Sequence, residues 1–233
     1  MVSFFARVNR LFTSKLSANP SLYKQKQALL VLRLKQASDL RTRQLILDKM
    51  MAEDLLRAAD LSHTALHDIH LESANLEEAD LCGAALPEAD LEGANLQHAD
   101  LSDADLKSAD LMNAKLCAAE LSHIHLDGAT LAKADLSAAD LQYACLRDAS
   151  LYAAQLKDAQ LDYADLRGCC LMYADLDGAS FHGTLFDETT VLPNGEQWTP
   201  KVNMQRFTDD SHADYLSYRE PGSAISQETT SAE

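Results

Sequence analysis

The chain has 233 residues, 47% hydrophobic and 24% charged, with 36 Asp and Glu against 20 Lys and Arg for a net charge of −16. Only eight Gly and five Pro exclude a low-complexity disordered chain. The acid excess excludes direct nucleic-acid binding by the bulk of the chain, because phosphate contacts need clustered Lys and Arg.

The charge is unevenly divided. Residues 1–55 carry 10 Lys/Arg against 4 Asp/Glu, residues 56–191 carry 7 against 25, and residues 192–233 carry 3 against 7. This reads as one folded unit, a basic head on an acidic body with a short tail. In the head, Phe4, Phe5, Val8, Leu11 and Phe12 share a face at helical spacing, with Arg7, Arg10 and Lys15 elsewhere. Asn19-Pro20 ends that stretch, since the residue before proline avoids the α region. A longer helix is expected over 21–55, interrupted near Ser38-Asp39, with apolar residues Leu29, Leu32, Leu40, Leu45, Ile46 and Met50. The longest apolar stretch, Ala28 to Leu32, is too short to span a membrane, and no signal peptide is expected.

The body is a repeat. Leucine recurs at every fifth position from Leu61 to Leu176, 24 times, and the phase continues through Phe181, Phe186 and Val191. Asp or Asn precedes half of these leucines, and a small residue, mostly Ala, sits two places before each. The departures at that inner position are Thr64, Ile69, Ile124, Cys169, Thr184 and Thr189. An uninterrupted repeat outranks local propensity. On an α-helix a spacing of five would rotate successive leucines by about 140° and coat every side. On a straight strand it would throw them to alternate faces. They point one way only if the chain turns once per quintet. Ala and Leu then face inward, the remaining positions form the corner and the outside, and successive turns stack about 4.8 Å apart.

Segments such as Ala79-Asp80-Leu81, Ala94-Asn95-Leu96, Ala134-Asp135-Leu136 and Ala174-Asp175-Leu176 closely resemble the motif of the pentapeptide-repeat proteins, over residues 56–192. The resemblance, of bacterial type, implies an all-β solenoid, a right-handed quadrilateral β-helix with four pentapeptides per coil, here with an α-helical N-terminal segment. Twenty residues per coil would give a rod roughly 30 Å long. The Leu192-Pro193-Asn194-Gly195 turn followed by Trp198 is similar to the C-terminal finish of many such proteins. The expected organisation is a basic, mostly helical cap (1–55), the β-helix (56–192), a capping segment (193–217) and a Ser/Thr/Glu-rich disordered tail (218–233). Leu55, Trp198 and Phe207 are expected to cover the open ends, where unpaired backbone groups would otherwise template aggregation.

Chemistry is sparse. There is no Gly-rich phosphate loop, no nucleophile elbow and no His-Glu-x-x-His, so no catalytic residues and no cofactor are expected. His67 with His70 and His123 with His125 lack a third ligand at metal spacing, and no metal is expected. The five cysteines, Cys82, Cys117, Cys145, Cys169 and Cys170, form no Cys-x-x-Cys pair, which points to free thiols in a reducing cytoplasm. With four quintets per coil, Asp60, Asp80, Asp100, Glu120 and Asp140 would stand in one column, a candidate acidic stripe for a protein partner. The expected function is a non-enzymatic scaffold presenting flat acidic faces to a macromolecule. Some pentapeptide-repeat proteins resemble B-form DNA and bind DNA gyrase, which is the second reading; this chain lacks their inserted loop and their leucine-rich C-terminal dimerisation helix. A third reading is peripheral membrane contact through the basic, Phe-bearing residues 1–16.

Overall fold

The computed structural model describes residues 20–209 and 211. The segment 1–16, with its expected membrane contact, and the expected tail 218–233 lie outside the described residues. From residue 60 the chain winds as a continuous coil in which residue i pairs in parallel with residue i+20, as in Asp60 with Asp80 and Asp140 with Gln160. Twenty residues are four quintets, so each turn has four short sides and four corners.

The quintet explains the winding. Leu121 is buried, and its amide donates to the Asp140 carbonyl of the next coil at 2.7 Å. The amide of Glu120 donates the other way, to the Ala99 carbonyl at 2.9 Å. Ser122 and His123 make the corner: the Ile124 amide returns to the Leu121 carbonyl at 3.3 Å, and His123 has φ 59°, the geometry of a type II turn. Every leucine from Leu61 to Leu176 is buried, as are the alanines two places before them. Ile69, Ile124, Cys169 and Thr64 take the alanine slot without breaking the register of twenty.

Two helices precede the coil. Helix α1 spans Pro20–Gln36, with proline in the first turn, where its missing amide costs no hydrogen bond. Helix α2 spans Leu40–Ala52; the Asp39 carboxylate accepts the Thr42 amide at 2.8 Å as N-cap, and hydrogen bonding to the Thr42 side chain first and to its amide second lowers the Asp39 pKa. The helices bury Leu30, Val31, Leu34, Leu47 and Met50 in the same core as Leu55 and Leu56. The apolar residues singled out from the sequence fall differently. Met50 is buried and Ile46 half-buried, but Leu29, Leu32, Leu40 and Leu45 are exposed. Both faces of these helices carry leucines, and the crossing with the first coil selects which face is covered. Neither helix is long and apolar enough to cross a membrane.

The helices also meet the first coil's backbone. The Gln44 carboxamide accepts the His70 amide at 2.9 Å and donates to the His70 carbonyl at 2.8 Å, as a preceding coil would. Gln27 donates to the carbonyls of Leu55 (3.1 Å) and Arg57 (2.8 Å), and the Tyr23 hydroxyl donates to that of Asp54 at 2.6 Å.

At the far end the phase slips by one residue. Val191, expected inward, instead occupies the outward pairing position opposite Cys170, and Leu192 is the buried residue. Thr190, not Thr189, takes the inner slot, and Phe181 and Phe186 are half-buried. The cause is Asp187, whose Oδ1 accepts the amides of Thr189 (3.0 Å) and Thr190 (3.2 Å) and draws an extra residue into the turn. The chain then folds back, Val191 pairing antiparallel with Gln197. Trp198 stacks on Phe186 at 5.7 Å, and the short helix α3 (Gln205–Thr208) buries Phe207.

Leu121→Ala should lower stability by about 2–5 kcal/mol. Ala104→Leu should cost at least about 1–3 kcal/mol, because the opposed inner slot has no spare volume. Urea unfolding of the two variants checks both.

Candidate functional site

The outer faces of the coil carry the candidate chemistry. Asp60, Asp80, Asp100, Glu120 and Asp140 form one continuous column of parallel pairs, extended by Gln160 and Ser180. The aspartates also have a local task. Oδ1 of Asp80 accepts the Cys82 amide at 3.1 Å, that of Asp100 the Ser102 amide at 2.9 Å, and that of Asp140 the Gln142 amide at 3.0 Å. Each closes the following corner as an Asx turn, which explains why Asp and Asn interchange at this position. Asp60 accepts the Ser62 hydroxyl at 2.6 Å and meets Lys35 of α1 at 3.0 Å, and these bonds lower its pKa. The basic head thus touches the first member of the acidic column.

The adjacent face carries an ion cluster that sequence reasoning missed. Asp165 is buried, its carboxylate held by Arg167 through Nε (2.8 Å) and Nη2 (2.7 Å) and by Nε of Arg147. The hydrogen bonds from Arg167 are the main cause of a carboxyl held far below the usual range. The signal was present, since Arg147 and Arg167 are twenty apart and Asp165 lies two places before Arg167, so the same register that aligns the aspartates also aligns the two arginines.

The register also changes the reading of the histidines. His67 and His70 do not pair; instead His70, Glu72 and Asp90 bring three donor atoms within 4.8 Å of one another, with His70 Nδ1 3.2 Å from Glu72 Oε1. These residues could hold a cation, but His70 and Glu72 are exposed and only Asp90 is partly buried. Three of the thiols are not activated as nucleophiles: burial pushes Cys169 far up, and burial with neighbouring carboxylates raises Cys82 and Cys145.

Sequences of the pentapeptide repeat family match in overlapping stretches at residues 55–86, 74–111, 109–148, 134–172 and 149–187, more than half of the chain. The chain belongs to the pentapeptide repeat family. Three pentapeptide repeat proteins of known structure are similar to it. One, from the Arabidopsis thaliana thylakoid lumen, is 25% identical, covering 54% of this chain and 73% of its own, with a TM-score of 0.35. HetL, involved in heterocyst differentiation regulation in the cyanobacterium Nostoc sp. strain PCC 7120, is 30% identical over 60% of this chain and 78% of its own, with a TM-score of 0.25. A third, also from Nostoc PCC 7120, is 33% identical over 42% and 79%, with a TM-score of 0.36. No curated protein matches.

Asp165→Asn should cost about 1–3 kcal/mol at neutral pH, because two guanidinium groups lose their charged acceptor. The folded-state carboxyl titrates below its unfolded value, so the wild-type advantage is complete above about pH 4 and fades as pH falls below it. Thermal unfolding of both proteins from pH 7 to 3 checks the sign.

Proposed function

We propose that this pentapeptide repeat protein is a non-enzymatic scaffold whose acidic face binds a basic macromolecular partner. The observation that carries this reading is the unbroken column Asp60, Asp80, Asp100, Glu120 and Asp140 on a backbone-paired face. A core filled by Ala and Leu supports it, since an enzyme site of ordinary size needs a concave pocket. A groove of about 480 Å³ lies at the edge of α1, lined by Lys24, Val31, Lys35, Ala58 and Asp60 among others, away from most of the column. We read the coil as right-handed, as in the family. Residues 1–55 and 193–217 act as caps through Leu55, Trp198 and Phe207, and five unpaired thiols favour a reducing cytoplasm.

Replacing Asp80, Asp100 and Asp140 by Asn and Glu120 by Gln removes the charge while leaving an oxygen to accept the corner amides of Cys82, Ser102 and Gln142. Affinity capture from a bacterial lysate should retain a basic partner on the wild type and lose it on this folded variant; equal capture by both would remove the acidic-face reading. The second reading, a DNA-mimicking topoisomerase ligand, draws on the same column. A gyrase supercoiling assay with no inhibition and no drug protection at micromolar protein would eliminate it.

A further inference from the structure

One corner of the rod differs from the rest. It follows the acidic face, and on it the register stacks His123, Tyr143 and Tyr163. The rings of His123 and Tyr143 are 5.0 Å apart and 6° from parallel, and those of Tyr143 and Tyr163 are 5.1 Å apart at 8°. The column ends where the Tyr163 ring covers Gly183, so closely that an added Cβ would lie 2.6 Å from the ring, and where His182 packs edge-on at 5.4 Å.

Two observations mark this ridge for a partner. Among the described residues of the repeat, the large apolar side chains left exposed are Tyr143 (48%), Tyr163 (47%) and Leu185, and Leu185 lies on the face that follows this same corner. Exposed tyrosines clustered in this way are typical of binding hot spots. Next, the charge is one-sided. Glu120 and Asp140 precede the first two rings by three residues on the acidic face, and Asp162 precedes Tyr163 directly. On the other slope Asp165 is already neutralised by Arg147 and Arg167.

We propose that the His123–Tyr143–Tyr163 ridge, with Glu120 and Asp140 beside it, is a docking site for an arginine-bearing basic segment of a partner protein. The inference rests on the scaffold reading and gives its partner a chemistry. A guanidinium group lies flat against aromatic surface and forks onto a carboxylate, so arginine engages both halves of the ridge. A lysine ammonium serves mainly the carboxylates.

The test uses the full chain and two fluorescent peptides, nona-arginine and nona-lysine, with anisotropy read at physiological salt. The wild type should bind nona-arginine at least tenfold more tightly than nona-lysine. Tyr143→Ser/Tyr163→Ser should abolish that preference, while Tyr152→Ser/Tyr173→Ser on another corner should keep it. Circular dichroism confirms that each variant is folded. If the ridge variant retains the arginine preference but the charge-neutralised variant of the acidic column loses binding, the ridge inference is overturned and the acidic face stands. If neither variant changes binding, both are overturned.

Discussion

The whole molecule depends on the pairing of each outward residue with the residue twenty places on. Within the coil every turn meets the hydrogen-bonding needs of its neighbours, so the ends are where the fold requires other means. Gln44 supplies one amide group that answers both the amide and the carbonyl of His70, standing in for a missing coil. At the far end the hairpin pairing Val191 with Gln197, the amide of Gly178 donating to Thr208 and the Trp198–Phe186 stack close the last turn. An open end of a parallel solenoid invites edge-to-edge association, and these contacts remove the invitation.

The same pairing turns the surface into a lattice in which chemistry is set by columns twenty residues apart. Stacked carboxylates repel by about 1 kcal/mol per neighbour at water-like dielectric. A hydrogen bond to a charged acceptor contributes about 1.5–3 kcal/mol. The Asx bond of Asp80, Asp100 or Asp140 to its corner is therefore at least comparable with the repulsion along the column. The corners need only an accepting oxygen, which Asn75 and Asn95 supply as well. The charge of the column goes beyond that need and is what a basic partner can use.

The leucine period and the Ala slot were legible because they need only local counting, and the buried rows from Leu61 to Leu176 follow them. What escaped has identifiable causes. The face of α1 that packs is set by the crossing, so Leu30, Val31 and Leu34 are covered while Leu29 and Leu32 are not. The slip at Asp187 arises because its carboxylate binds two successive amides and overrides a phase that Val191 appeared to continue. Rows of twenty put Arg147 over Arg167 and His123 beside Tyr143, but which side chains then meet is set by rotamers that the register leaves open. Read locally, His123 groups with His125.

The register itself can be measured. Asp68 and Asp148 are exposed corner positions eighty residues apart, hence on one edge of the rod and separated by four coil spacings. Spin labels carried on non-natural residues at these two sites should give a single narrow distance of about 19 Å in a pulsed dipolar experiment. A broad distribution, or a mean beyond about 40 Å, would contradict a chain that returns to the same side every twenty residues.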